Sequence, residues 1–354
     1  MKSFVYTGMP SRVVFGAGAL DRLADEVETL GTAKALVLST PEQRATAEDV
    51  AERLGDRAAG VYDQAVMHVP IETAAAARER ARDLGADCCV AVGGGSTIGL
   101  GKAIALSFGL PIVAVPTTYA GSEMTPIWGL TEAGVKRTGR DMKVLPRTVV
   151  YDPTLTLSLP PAISGPSGMN AIAHCVEALY AEDANPVISL MAAEGIRALA
   201  AALPTVVKAP DDLAARGDAL YGAWLAGASL GSVGMALHHK LCHTLGGSFN
   251  LPHAQTHTIV LPHAAAYNRD AAPDAMQRIA AALGGGDAPA GLFDLAVGIG
   301  APTALKDIGL KESDLDRAAD LATRNPYYNP RPVTRDAIRA LLDDAYYGRR
   351  PAEQ

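Results

Sequence analysis

Hydrophobic residues follow two different spacings along this chain, and the change occurs near residue 155. In the first part, short runs rich in β-branched residues alternate with segments rich in Ala, Leu and Arg. This alternation predicts strands at 33–38, 59–62, 88–92 and 111–115, and helices at 45–54, 71–84 and 97–108. Strands that alternate with helices form a parallel sheet with helices on both of its faces.

The second part of the chain is predicted to be helical. β-branched runs become rare there, and apolar residues recur at helical spacing in 188–203, 213–231 and 274–283. A chain of 354 residues is also long for a single core. We therefore predict two domains: an α/β domain with a Rossmann-like sheet over residues 1–155 and an all-α domain over residues 156–354.

Composition and charge argue against several classes of function. The 31 basic and 38 acidic residues give a net charge of -7, and no long basic run is present, so a nucleic-acid partner is not expected. The first residues lack the apolar core of a signal peptide, and Pro111 and Pro116 interrupt an apolar stretch, so no membrane segment is predicted. Cys88 and Cys89 are adjacent in a predicted strand and cannot pair without strain, which fits reduced thiols and a cytoplasmic location.

A glycine-rich loop connects the predicted strand 88–92 to the following helix. Glycine lets the backbone approach an oxyanion, and a helix N-terminus offers unpaired N–H donors to a pyrophosphate. The loop matches neither common phosphate-binding fingerprint, so a plain tight turn stays an alternative. We predict cofactor contacts at Gly93, Gly94, Gly95, Ser96 and Thr97.

Two further loops follow neighbouring strands of the predicted sheet. Thr117 and Thr118 follow the strand 111–115, and Ser39 and Thr40 follow the strand 33–38. Ligands of open α/β sheets bind at the carboxyl ends of the strands, so all four residues are predicted to contact the nucleotide. A carboxylate after the second strand would repel a 2′-phosphate, whereas Thr40 does not, and use of both NADH and NADPH is therefore predicted.

Histidines are concentrated in the second part, where seven of the eight lie between residues 174 and 263. His239 and His243 are one helical turn apart and share a face, and His253 follows Pro252. Asn170 and His174 form a second polar pair with the same spacing. The pattern indicates a site, although a metal-dependent enzyme would favour a carboxylate at position 170.

These motifs together resemble the iron-containing alcohol dehydrogenase family, whose fold is similar to that of dehydroquinate synthase. The resemblance runs nearly end to end from Val13 and rests on Gly93-Gly-Gly-Ser96, Pro116-Thr-Thr118, Gly121-Ser-Glu123 and the histidines. It implies a metal held by an Asp and three His, at the positions of Asn170, His174, His239 and His253. It also implies that His243 and Lys102 lie near the nicotinamide cofactor, although Lys102 could instead only cover the helix surface.

Three departures from the family pattern indicate one of its branches. Asn170 replaces the metal-binding Asp, Gly99 replaces an Asp after the glycine-rich loop, and the segment from Pro116 to Glu123 is one residue shorter than usual. Together with Asn325-Pro-Tyr-Tyr-Asn-Pro-Arg-Pro332, they look like the branch that reduces maleylacetate to 3-oxoadipate with NADH or NADPH in aromatic-compound catabolism. That resemblance implies a small dicarboxylate substrate and a homodimer.

The expected chemistry is hydride addition to a C=C bond conjugated to a ketone, with imidazole groups that stabilise an enolate and deliver a proton. Catalytic roles are predicted for His174, His239, His243 and His253. Substrate contacts are predicted for Tyr119, Asn170, His238 and Lys240, although a solvated role suits Lys240 equally well. No metal is expected, and if one binds, its ligands are His174, His239 and His253. His257 and His263 are interpreted as structural.

Three alternatives stay open at this point. A metal-dependent alcohol dehydrogenase of the same family would contain stoichiometric metal. A lyase of the dehydroquinate synthase type would bind NAD tightly and consume no NADH overall. A non-catalytic nucleotide-binding protein would leave the histidines without a purpose.

Overall fold

The computed structural model describes residues 3–9, 11–132, 135–325 and 327–353. They form two compact units, an α/β unit (Gly8–Leu159) and a helical unit (residues 3–7 and 160–353). The two units divide after Leu159, four residues beyond the predicted boundary. The Asp152 carboxylate fixes the turn before it by accepting from Leu20 N at 3.1 Å and Thr154 N at 3.0 Å.

The α/β unit is built on a parallel sheet of six strands in the order β1-β8-β5-β4-β2-β3. The central strands are buried throughout, which explains their continuous apolar sequences. The strands are β1 (Arg12–Phe15), β2 (Ala35–Leu38), β3 (Ala58–Tyr62), β4 (Cys88–Gly93), β5 (Ile112–Pro116), β6 (Ile127–Glu132), β7 (Val135–Arg140) and β8 (Thr148–Tyr151). The helices of this unit are α1 (Leu23–Thr29), α2 (Arg44–Leu54), α3 (Ile71–Asp83) and α4 (Gly95–Phe108).

The four strands predicted from the sequence all belong to this sheet, and the predicted fold class is confirmed. The sequence prediction omitted β1 and β8, which pair with each other at one side of the sheet. It also omitted the antiparallel hairpin of β6 and β7, which forms a separate two-stranded sheet. β1 has one buried residue among its four positions, whereas all four positions of β2 are buried, so β1 lacks the continuous apolar run that marks the central strands.

The helical unit is organised around α5 (Pro161–Leu179), in which every residue from Ser164 to Leu179 is buried. A helix that is buried on all sides needs apolar neighbours around it, and α5 packs against α6, α7 and α9. The other helices are α6 (Pro186–Lys208), α7 (Leu213–Ser232), α8 (Leu237–Phe249), α9 (His253–Asn268), α10 (Pro273–Ala282), α11 (Ala288–Gly298), α12 (Leu315–Thr323) and α13 (Arg335–Tyr347). Polar residues of α5 therefore depend on protein partners.

Among the described helices, α6 alone is long and apolar enough by itself to cross a membrane, and α7 with α8 pass the same test only as a pair bent by 96°. The core helices of globular proteins share this length and composition. In this protein α6 packs against α5 and α7, so its apolar face is used within the helical unit.

Candidate active site

Six histidines from three helices of the helical unit lie together and are called the histidine cluster: His174, His238, His239, His243, His253 and His257. The rings of His174 and His239 stack with their centroids 5.1 Å apart. His257 connects the two sides of the cluster, since its ring lies 5.1 Å from His239 and 4.3 Å from His253. The cluster contains all four histidines for which catalytic roles were predicted.

The helix positions explain why these side chains meet. α9 begins at His253, so His253 and His257 stand one turn apart on one face. His239 and His243 have the same spacing on α8, which packs against α9, and α5 with His174 packs against α9 as well. His257 was interpreted as structural from the sequence, and the structure places it within the cluster, buried and paired with His238. The i,i+4 spacing from His253 was the signal for this position.

Burial divides the cluster into two groups. His174, His238, His239 and His257 are buried, whereas His243 and His253 are exposed. Burial, reinforced by the neighbouring imidazoles, lowers the pKa of His174, His238 and His257 well below the usual 6.5, so these three rings are neutral at neutral pH. The exposed pair is the part of the cluster able to exchange protons with solvent or a ligand.

A buried carboxylate, that of Glu177, is hydrogen-bonded to the start of α8 and to one ring of the cluster. Glu177 of α5 accepts hydrogen bonds from Ala236 N at 2.7 Å and His238 N at 2.6 Å, at the start of α8. It also contacts His239 Nδ1 at 2.7 Å, which leaves His239 Nε2 buried without a partner. Sequence analysis did not select Glu177, although it follows His174 by one turn on the same face of α5.

His238, Cys242 and His257 offer ligand atoms within 4.8 Å of one another, which makes them a group with metal-like spacing among the described residues. His238 Nε2 and His257 Nδ1 lie 2.9 Å apart, a hydrogen-bond distance, whereas two nitrogens on a tetrahedral zinc lie about 3.3 Å apart. Burial also raises the pKa of the Cys242 thiol well above its usual range, which keeps the sulfur protonated. The contact is best described as a hydrogen-bonded pair of neutral rings.

The family's metal positions lack the carboxylate that would offset the charge of a divalent ion. His174 Nδ1 and His239 Nε2 are buried without partners, and the centroids of their rings lie 5.1 Å apart. Asn170 adds a neutral oxygen and no negative charge. Asn170 Oδ1 and His239 Nε2 are nevertheless buried without partners, and such atoms suit a polar ligand.

Three further residues were predicted to contact substrate. His238 belongs to the cluster through the pair with His257. Lys240 is half-buried, and its ammonium lies over the ring of Tyr327, 5.6 Å from the ring centroid. Tyr119 is fully buried in the α/β unit, directly after the threonines of the β5 loop.

The predicted cofactor residues lie on three adjacent strands. β5, β4 and β2 are neighbours in the sheet, so the loops after them share its carboxyl edge. The side chain of Gln43, which sequence analysis did not select, crosses this edge and donates to Thr117 Oγ1 at 2.8 Å. The sheet thereby brings together Ser39, Thr40, Gly93, Gly94, Gly95, Ser96, Thr97, Thr117 and Thr118.

Glycine is required at the end of β4. Gly93 has a φ of +150°, and a Cβ there would lie 2.5 Å from Thr97 Oγ1 and 2.8 Å from Gln43 Oε1. At Gly99, where the family usually has an Asp, a Cβ would lie 2.9 Å from Val69 Cγ2. The departure at position 99 is therefore matched by close packing of α4 against Val69.

Lys102 does not have the position predicted for it. Its side chain is buried, and Nζ lies 2.7 Å from Ser122 O, 2.8 Å from Thr125 O and 2.7 Å from Ile127 O. Burial lowers its pKa to about 7, against the opposing charge of Glu123. The ammonium has three hydrogens, so these carbonyls leave none for a cofactor, and Lys102 instead anchors the segment after β5 to α4.

Comparison with known proteins shows similarity over almost the whole chain. Residues 10–153 match the model of iron-containing alcohol dehydrogenase, and residues 165–346 match the C-terminal model of the Fe-containing alcohol dehydrogenase family. A maleylacetate reductase of Burkholderia cepacia is 62% identical over 352 residues, which cover 99% of this chain and 100% of that protein.

Two crystal structures extend this similarity to the fold. A maleylacetate reductase from Agrobacterium tumefaciens has a TM-score of 0.97 and 56% identity, with 99% of this chain and 100% of that chain covered. An iron-containing alcohol dehydrogenase from Corynebacterium glutamicum has a TM-score of 0.95 and 49% identity, with 99% of both chains covered. Both crystal structures therefore have nearly the same fold as this chain.

Proposed function

This chain belongs to the iron-containing alcohol dehydrogenase family. We propose that it reduces the C=C bond of maleylacetate to give 3-oxoadipate in aromatic-compound catabolism, and that it also reduces chloro-substituted maleylacetates. The observation that carries this proposal is the composition of the histidine cluster. The cluster contains neutral buried rings and two exposed histidines. One helical turn before His174 lies the amide of Asn170, at a position where a metal-dependent relative would need a carboxylate.

The reaction needs a hydride, a site for negative charge and a proton. NADH or NADPH, when bound, supplies the hydride from C4 of the nicotinamide and leaves as NAD⁺ or NADP⁺. The new C–H bond forms at the alkene carbon distal to the ketone, and the π electrons move to the ketone oxygen as an enolate. N–H donors of the cluster stabilise that oxygen, and the amide N–H₂ of Asn170 donates to a carboxylate of the substrate.

The proton that completes the reduction goes to the carbon beside the ketone. His243 and His253 are the exposed members of the cluster, and an imidazole has a reference pKa near neutral pH. We assign the delivery of the proton to this pair. The neutral, buried His174, His238 and His257 exclude water from one side of the substrate and orient it.

Either nicotinamide cofactor suits the loop after β2. Thr40 is neutral, and the pKa of the nearby Glu42 carboxylate is lowered by a backbone hydrogen bond and then by a hydrogen bond from the Thr40 hydroxyl. Arg44 is held by Glu48 at 2.8 Å and Asp63 at 3.1 Å, so it is already paired. The proposed enzyme therefore discriminates weakly, with specificity constants for NADH and NADPH within about 10³-fold of each other.

We propose that turnover does not require metal, since the amide of Asn170 supplies none of the negative charge that a carboxylate would offer a divalent ion. The test is the absorbance of NADH with maleylacetate, before and after dialysis against a chelator, alongside metal analysis of the purified protein. A change in kcat of less than about 2-fold after removal of metal supports the proposal, because it corresponds to less than about 0.5 kcal/mol of the activation free energy. Stoichiometric metal whose removal abolishes turnover, with oxidation of small alcohols, would establish the alcohol dehydrogenase alternative.

A cytoplasmic location and a homodimeric assembly complete the proposal. The similar proteins are catabolic reductases of small dicarboxylates by name, and a nicotinamide-dependent reductase needs access to the cytoplasmic cofactor pool. Two-fold assemblies are also the commonest oligomers of soluble enzymes.

A further inference from the structure

We propose that Glu177 is a positioning residue that acts through His239. It binds the proton of His239 Nδ1 and so makes Nε2 the only ring atom of His239 available to a ligand. This inference rests on the proposed function only for its consequence for turnover. The placement of the proton is a property of the free protein.

The carboxylate of Glu177 is held in one orientation. Ala236 N and His238 N donate to it at 2.7 and 2.6 Å, and both belong to the N-terminal end of α8. Unpaired N–H groups and the positive end of the helix dipole favour a negative group at this place. Glu177 is fully buried, so water does not compete for its oxygens.

The second partner of the carboxylate is the His239 ring. Glu177 Oε2 lies 2.7 Å from His239 Nδ1, and an ionised carboxylate can only accept a hydrogen bond. The ring proton therefore sits on Nδ1 when His239 is neutral. His239 Nε2 is buried and has no protein partner, so it is the ring atom left to face a bound ligand.

Neighbouring groups do not share this task. Burial and the charge of Glu177 raise the pKa of the Cys242 thiol and of the Tyr180 phenol well above their usual ranges, so both stay protonated. Among the described residues, His239 is the ionisable side chain within salt-bridge distance of Glu177. A neutral cap such as Ser or Asn would accept from the N–H groups at the start of α8 at a lower desolvation cost than a buried carboxylate. The hydrogen bond to the His239 ring is the additional contact that the carboxylate of Glu177 makes.

The most direct test is the tautomer of His239, measured from the ¹⁵N shifts of histidine-labelled protein and assigned with the His239→Asn variant. We expect a protonated Nδ1 and an unprotonated Nε2 in the wild type. In Glu177→Gln either orientation of the amide N–H₂ meets a backbone donor, Ala236 N or His238 N, so the ring proton is no longer fixed on Nδ1 and rings protonated on Nε2 should appear. A wild-type ring protonated only on Nε2 would overturn the proposal, whether or not the protein reduces maleylacetate.

Turnover provides the second arm of the test. In Glu177→Gln we expect kcat to fall by about 10²- to 10⁴-fold, as when the orienting carboxylate of a catalytic histidine is replaced by an amide, with the KM for NADH within about 3-fold. In the His239→Asn background the same change should lower kcat by less than about 3-fold, because the residue that it acts through is gone. Glu194→Gln, on the exposed face of α6, is the matched control and should keep wild-type turnover.

The double variant also separates positioning from folding. Loss of the cap of α8 lowers the melting temperature in both backgrounds, whereas loss of positioning lowers kcat only where His239 is present. An equal fall in kcat in both backgrounds, or unchanged kcat in Glu177→Gln, would overturn the positioning role. If wild-type protein fails to reduce maleylacetate, the proposed function is wrong, and the tautomer measurement still decides the first part of this inference.

Discussion

His253 and His257 are one helical turn apart and differ in burial and in the protonation that burial allows. Both lie on the first turns of α9, and their rings are 4.3 Å apart. His257 is buried and has a pKa well below the usual range, whereas His253 is exposed. The same side chain is thus a neutral hydrogen-bonding group at one position and a candidate proton donor at the other.

Replacement of either exposed histidine tests this division. We expect His243→Ala or His253→Ala to lower kcat by about 10²- to 10⁴-fold, the usual contribution of a positioned acid or base, while the melting temperature stays near that of the wild type. Steady-state kinetics with maleylacetate measure the effect. Wild-type kcat in both variants would contradict the roles assigned to His243 and His253.

His263 lies outside the cluster and affects stability through its protonation. Burial lowers its pKa from 6.5 to about 4, against the opposing charge of Asp344. Below pH 6.5 the unfolded chain binds a proton that the folded protein does not, so this contribution is present above pH 6.5 and is lost as the pH falls toward 4. The difference corresponds to about 3 kcal/mol in total.

The free energy of unfolding of the wild type should fall between about pH 7 and about pH 4.5. We expect this fall to be about 2 kcal/mol smaller in His263→Gln. Urea unfolding at several pH values measures it. His68→Asn is the matched control, because His68 is exposed and Asn tolerates its φ of 66°. A slope that is the same in His263→Gln and in the wild type would show that His263 is not the group that titrates.

At the scale of elements, α5 carries much of the site because it is buried along almost its whole length. Asn170, His174 and Glu177 follow one another at spacings of four and three residues and share one face. The rest of α5 is apolar or small and packs against its neighbours. The polar face can therefore be satisfied only by α8, α9 or a ligand, which explains why the three helices form one site.

The turn between β4 and α4 makes a second prediction at this scale. Gly93→Ala places a Cβ 2.5 Å from Thr97 Oγ1 at a φ of +150°, so we expect the free energy of unfolding to fall by about 2 kcal/mol. Gly95→Ala is the matched control, since its Cβ would lie 3.9 Å from Ala120 Cβ, and its stability should change by less than about 0.5 kcal/mol. Equal stability of the two variants, measured by urea unfolding without cofactor, would contradict this account.

At the scale of the whole molecule, the prediction concerns assembly. The chain has a mass of 36.6 kDa, and we expect light scattering to give twice this value at micromolar concentration, as for a two-fold dimer. The histidine cluster is assembled from three helices of one chain, so its residues do not require a second copy. A monomeric mass with full turnover would contradict the dimer and leave the proposed chemistry intact.

The sequence by itself determined the fold class, the glycine-rich loop and the positions of the histidines that are proposed to be catalytic. These features depend on local spacing: the alternation of strands and helices, the turn that only glycine fits, and the i,i+4 pairs on α5, α8 and α9. The family resemblance followed from the same local motifs. The strands β1 and β8 were not recognised from the spacing of apolar residues.

The tertiary structure alone decided the environment of each side chain. His257 joined the cluster, Glu177 reached α8 from a helix about sixty residues earlier in the chain, and Lys102 turned inward to the carbonyls near Thr125. Burial then set which histidines are neutral and which are exposed. Protonation and hydrogen bonding depend on neighbours that are distant in the sequence, so spacing along the chain cannot reveal them.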